Sequence, residues 1–269
     1  MMRINKMMRI NKMMQINKIM QINKMREVKR IGRVLRFVNS RARLCACLVI
    51  IIPHFQFLIP NSASAQTGQQ WRDSVSTLIE AIRLDPRNTD LRLKKAEANI
   101  NLQQWEYAIE EYGDVLRIDD RNLAALYFRA YCHTQLRHYD MAKADYDAFL
   151  AIQPQHFEAH LGRAHVLQKM GRKADVFDEL NLIVQQFPDS ANAYAARAAY
   201  ETEQQFYDVA LYDWDEALRR HPENAEYAVS KADVLLGLGR KKEAKETLDA
   251  VVLQGTPRGA LKEWYDRCK

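Results

Sequence analysis

Three histidines, His156, His160 and His165, lie within ten residues of one another, with Glu158 between the first two. Two imidazoles four residues apart share a helix face and can hold zinc. A larger pattern is the column Lys95, Arg129, Arg163, Arg197 and Lys231, five cations at a constant spacing of 34 residues. Such a column could form a track for phosphate or another anion. Sixteen residues beyond the cations stand Glu111, Asp145, Glu179, Asp213 and Thr247, so four of the five have an acid at one fixed offset. Other chemistry is thin. The sequence has no glycine-rich phosphate loop, no G-x-S-x-G elbow and no H-E-x-x-H string. Its carboxylates scatter over outer faces and turns, with no isolated pair that asks for a raised pKa. No catalytic residue, metal ligand or cofactor is assigned.

The spacing of 34 extends to everything around the cations. Five windows align without gaps, beginning at Thr89, Leu123, Phe157, Ala191 and Ala225; the nth residue of a window is called place n below. Place 8 is always alanine (Ala96, Ala130, Ala164, Ala198, Ala232), and place 20 is Ala108, Ala142, Val176, Ala210 and Ala244. Place 24 is bulky: Tyr112, Tyr146, Leu180, Trp214, Leu248. Place 32 is Asp120, Pro154, Pro188, Pro222 and Thr256. Each window holds two apolar stretches of helical period, separated by a polar turn and most often closed by a proline that cannot continue a helix. Small residues at places 8 and 20 let two antiparallel helices approach, and the residue at place 24 fills the gap toward a neighbour.

This resembles the tetratricopeptide repeat in period and in its small and bulky places. The resemblance covers nearly all of Gln70 to Lys269 and implies an all-α fold, a right-handed superhelical solenoid of helical hairpins. Full repeats are expected at 89–122, 123–156, 157–190, 191–224 and 225–258. A half repeat precedes them, with Trp71, Val75, Leu78, Ile79 and Ile82 in one stripe ended by Asp85-Pro86. A capping helix follows in 259–269, where Ala260, Leu261, Trp264 and Cys268 recur at helical spacing.

Against the family pattern, place 7 is unusual in being basic where leucine is common. Places 7 and 23 lie about equally far from the turn, so an antiparallel hairpin sets them opposite. We therefore expect a ladder of ion pairs, Arg163 with Glu179 among its rungs, and not an anion track, because charges near a core are paired. Lys231 faces Thr247 and is left without a partner. The histidine string dissolves in the same way: His156 falls in a turn and His160 at place 4, where the family puts a packing side chain. The family's concave groove is lined by places 2, 5, 9, 12 and 13 of each first helix. That makes Leu93, Glu97, Tyr127, Tyr131, Leu161 and His165 the candidate groove for protein or peptide segments. Packing of one tyrosine, Tyr131, into the neighbouring hairpin is the competing reading. A clamp for a partner's terminal carboxylate would want lysine and asparagine at places 5 and 9 of the first groove helix, which here are Leu93 and Glu97.

The 269 residues carry 40 basic and 34 acidic side chains, unevenly placed. Residues 1–65 hold 13 basic and one acidic, which leaves 27 basic against 33 acidic in the remainder. Residues 1–24 are four near-identical copies of MMRINK, read as a short duplication ahead of a start at Met25; a basic tail is the other reading. Residues 25–65 have a basic segment, a 17-residue apolar stretch and small residues ending in Ala63 and Ala65. That pattern is a secretory signal peptide with the mature chain from Gln66; an uncleaved anchor in the inner membrane is the alternative. Cys45 and Cys47 do not make a lipidation site, because the apolar run follows Cys47. The expected location is the periplasm or outside the cell. Cys132 and Cys268, three hairpins apart, are expected to stay free. The acidic body opposes nucleic acid. The reading is a non-enzymatic interaction scaffold, with a ligand-binding or enzymatic use of the groove as the alternative.

Overall fold

The computed structural model describes residues 68–269; the hexapeptide repeat, the leader and its cleavage site lie outside the described residues. Twelve α-helices follow one another: α1 (Gly68–Leu84), α2 (Thr89–Asn101), α3 (Trp105–Ile118), α4 (Leu123–Gln135), α5 (Tyr139–Ile152), α6 (Phe157–Lys169), α7 (Lys173–Gln186), α8 (Ala191–Glu203), α9 (Tyr207–Arg220), α10 (Ala225–Gly237), α11 (Lys241–Leu253) and α12 (Lys262–Arg267), with a 3-10 turn at Arg258–Leu261 before the last. No strand occurs among the described residues. Each first helix packs against its own second helix and the second helix before it, so the chain is an α-solenoid.

Local chemistry sets the boundaries. The residue before each first helix is an N-cap, and in four of five cases its side chain accepts a backbone N–H of the first turn: Asn88 from Leu91 at 3.1 Å, Asn122 from Ala125 at 3.0 Å, His156 from Ala159 at 3.2 Å, Asn224 from Glu226 at 2.9 Å. The turn inside each hairpin passes through a left-handed residue at place 15, with φ between 57° and 74° at Gln103, Arg137, Gly171, Gln205 and Gly239. Glycine meets that demand without strain at two places, while the other three accept it.

The alanines of places 8 and 20 are all at most 2% exposed and form the contact between the two helices of a hairpin. The bulky residue at place 24 reaches the next hairpin. Tyr146 shows how closely: a Cβ on Gly162 would stand 2.5 Å from its ring, so only glycine fits beneath that tyrosine. First helices touch the first helix of the next hairpin (α2 with α4, α4 with α6, α8 with α10, α10 with α12), and no two second helices come as close. The first helices therefore line the inner side of the curve.

The expected ladder forms: Lys95 meets Glu111 at 2.6 Å, Arg129 meets Asp145 at 2.6 Å, Arg163 meets Glu179 at 2.5 Å and Arg197 meets Asp213 at 2.6 Å. It is also two-sided. Arg163 reaches back to Asp147 at 3.0 Å and Arg197 to Asn181 at 3.0 Å, both sixteen residues earlier in the preceding second helix. This corrects the expectation for Lys231. Its partner is Asp215, at 2.5 Å, in the preceding hairpin. The cap keeps the register, because the Tyr265 hydroxyl donates to Asp249, again sixteen residues back, at 2.6 Å. One place in the cap breaks the pattern: the alanine of place 8 is replaced by exposed Asp266, which pairs with Lys269 at 2.6 Å.

Arg129 and Asp145 make the most isolated rung, with Nε–Oδ2 at 2.8 Å and Nη2–Oδ1 at 2.6 Å. Arg129→Ala strands a carboxylate only 8% exposed, and the expected loss is about 3 kcal/mol in denaturant unfolding. Adding Asp145→Leu should recover part of that loss, with a coupling of about 1–3 kcal/mol. Strictly additive losses would show that the rung carries no energy.

Candidate functional site

The inner face is built from side chains that leave the first helices one turn apart. Leu93, Glu97, Tyr131, Leu161 and His165 are half-buried on it. Tyr127 is not. It is 4% exposed and belongs to the core, with its ring 5.6 Å from Phe149, 5.8 Å from His156, 6.0 Å from Tyr146 and 5.3 Å from Phe128. Its own second helix and the turn beyond it close over the ring, because Tyr146 and Phe149 of α5 and the N-cap His156 sit where the groove was expected to be open. Tyr131, the residue expected to pack if either did, is only half-buried, in a T-shaped pair with Trp105 at 5.8 Å. Farther along, Ala195 and Ala199 are each 1% exposed, so the face offers no large apolar side chain there.

Polar side chains stitch neighbouring first helices across this face. Gln168 donates to Glu203, and the Tyr227 hydroxyl donates to Asn192. Asp233 accepts from Arg267 at 2.5 Å and from the Trp264 indole at 3.1 Å. Burial raises the pKa of Glu97, which Lys94 lowers in part. Burial, with a lesser push from Lys169, lowers His165 to about 4, so the ring is neutral at pH 7. Its Nδ1 is buried with no hydrogen-bond partner among the described residues.

The histidine string is spent on structure. His156 Nδ1 caps α6, and His160, 2% exposed, has Nδ1 2.5 Å from Glu179 Oε1 and Nε2 2.8 Å from the Pro154 carbonyl. No group of three or more His, Cys, Asp or Glu that could hold a metal occurs among the described residues. Cys132 and Cys268 are free thiols. The cation column opens into one cleft of about 280 Å³ beside Arg163, lined also by Lys143, Asp147, Arg172, Asp175 and Glu179. Its cations are all paired, Lys143 with Asp147 at 2.6 Å, Arg172 with Asp175, and Arg163 with both Asp147 and Glu179. Nothing is left over to hold an anion.

Two features escaped the sequence reading. Place 11 carries Asn99, His133 and Glu201, all at most 7% exposed, and each has one buried polar atom without a partner among the described residues. Reading down that column, where the other windows have Leu167 and Leu235, shows the anomaly. Place 19 carries Tyr107, Met141 and Val209, all more than half exposed on the second helices.

Glu201 corrects the expectation that no carboxylate pair asks for a raised pKa. Burial first, then the neighbouring Asp213 carboxylate, pushes it up to about 7, and Arg197, with Nε 3.9 Å away, only partly offsets this. A folded pKa above the ordinary 4.5 means that the proton stabilises the fold. That stability is complete below about pH 4.5 and is lost as pH rises through about 7. Glu201→Gln should flatten the fall in melting temperature between pH 5 and 8 that the native chain is expected to show. An unchanged profile would mean that Glu201 does not titrate there.

Tetratricopeptide-repeat family models match residues 123–156 and 195–260. No curated protein sequence gives a match. Among solved structures, a tetratricopeptide repeat protein from Parabacteroides merdae is similar at a TM-score of 0.59 with 19% identity, over 82% of this chain and 89% of that one. The "Pseudomonas Aeruginosa pilF" structure gives 0.56 and 16%, over 83% and 92%. MamA from Desulfovibrio magneticus gives 0.53 and 20%, over 61% and 93%. Family matches on two stretches, a shared fold and the 34-residue windows agree: the chain is a tetratricopeptide-repeat protein.

Proposed function

We propose that the protein is a non-enzymatic scaffold that works outside the cytoplasm and binds segments of other proteins on the inner face of its first helices. The observation that carries this is the face itself. Leu93, Tyr131 and Leu161 are apolar or aromatic, half-buried and on adjacent first helices, as an anchor site for a partner's side chain requires. Protein and peptide binding is the common work of this family, and its fold is generally not an enzyme's. The paired charges of the cleft beside Arg163 favour no catalytic use. Nucleic acid is disfavoured by the acidic excess of residues 66–269. No helix among the described residues is long and apolar enough to cross a membrane.

The location rests on the basic segment, apolar stretch and Ala63-x-Ala65 ending of the leader. The N-terminal sequence of native protein recovered from an extracytoplasmic fraction should begin at Gln66. A cytosolic protein retaining Met1 or Met25 would sink that assignment.

Tyr131→Ala with Leu161→Ala should weaken capture of the bound partner by about 2 kcal/mol while leaving the melting temperature nearly unchanged. Tyr127→Ala should instead cost about 3 kcal/mol or more of stability. Undiminished capture by a stable Tyr131/Leu161 double variant would place binding on another face.

A further inference from the structure

The places that face the groove are not electrically neutral. Places 2, 5, 9, 12 and 13 of the five first helices hold six acids and one base, Lys169. Everything else in residues 66–269 holds 27 acids against 26 bases, so most of the body's acidic excess is concentrated on this one face. Acids at place 2 also sit well at helix N-termini and need no ligand to explain them. Place 9, mid-helix, has no such excuse.

The two ends of the groove treat place 9 differently. At the C-terminal end, Asp233 is met from within the chain, by the Arg267 guanidinium at 2.5 Å and the Trp264 indole N–H at 3.1 Å. Arg267 stands at place 9 of the cap, so side chains at this place on successive first helices reach one another. At the N-terminal end, Glu97 occupies the same place, half-buried, with no ion-pair partner among the described residues and only Lys94 to offset its charge. The next place 9 along is aromatic, Tyr131, with Trp105 against its edge. A carboxylate partly removed from water, with an aromatic ring at the same place of the next first helix, is matched by a cation that can pair with the acid and lie against the ring.

Resting on the groove reading above, we propose that the partner is a basic polypeptide segment that sets an arginine or lysine on Glu97 and against Tyr131. Its binding repeats, at the open end of the groove, the contact that Arg267 makes with Asp233 at the closed one. An apolar side chain next to that cation reaches Leu161. The acids at places 2 and 13 favour further positive charge along the segment and make its association fall with salt.

The test is selection of random 12-residue displayed peptides on the full chain, followed by affinity measurement of the enriched peptides. Enriched peptides should carry arginine or lysine, bind Glu97→Gln about tenfold more weakly, and lose no more when their own cation is also changed to glutamine. Glu110→Gln, the same charge change on the exposed face of α3, should alter affinity less than about twofold. Peptides without basic bias that still depend on Tyr131 and Leu161 would overturn the cationic partner and leave the groove standing. Basic peptides that respond equally to Glu97→Gln and Glu110→Gln would reduce the effect to net charge and overturn the site. Peptides indifferent to all these changes, or no enrichment, would overturn the groove reading as well.

Discussion

The cation at place 7 holds the solenoid together in two directions at once. A hairpin of two short helices buries too little to stand alone, so each must be fixed to its neighbours. Arg163 does this with one guanidinium, reaching Glu179 in its own second helix and Asp147 in the one before. Arg197 repeats the span with Asp213 and Asn181. Where the forward acid is missing, as at Lys231, the backward contact to Asp215 remains. Asp213 is fully buried and Asp145 and Glu179 nearly so, which makes the ladder costly to break and specific in register. A slip of a hairpin by one helical turn would strand every acid in the column.

Most of the architecture was legible because a repeat is read five times. The windows, the small places 8 and 20, the bulky place 24 and the forward rungs all rest on columns that agree. The errors came from contacts that a column of equivalent places does not show. Tyr127 was expected in the groove because a column gives a place and not the size of what stands opposite; His156 and Phe149 close over it. Lys231 has a threonine sixteen residues on and its acid, Asp215, sixteen residues back. Of the candidate groove, Leu93, Glu97, Tyr131, Leu161 and His165 share the inner face, while Tyr127 supports it from beneath.

The polar interior is uneven. Asn99, His133 and Glu201 put polar atoms with no partner among the described residues at place 11, where Leu167 and Leu235 put methyl groups. In the window that starts at Ala191 this lodges a second carboxylate next to the buried Asp213–Arg197 rung. That hairpin is also the one with alanine at places 5, 8 and 9 of its first helix, and it has little large apolar surface there to compensate. Its cohesion relies on Trp214 at place 24 and Tyr200, both almost fully buried.

Asp266 decides where the solenoid can be joined to anything else. A second helix docks on a first helix only if place 8 is small and apolar, as it is in all five windows. With a carboxylate there, the exposed side of α12 repels the kind of helix that every earlier step accepts. A further helix of this repeat pattern would meet at α12 a charge where each earlier first helix gives it a buried alanine.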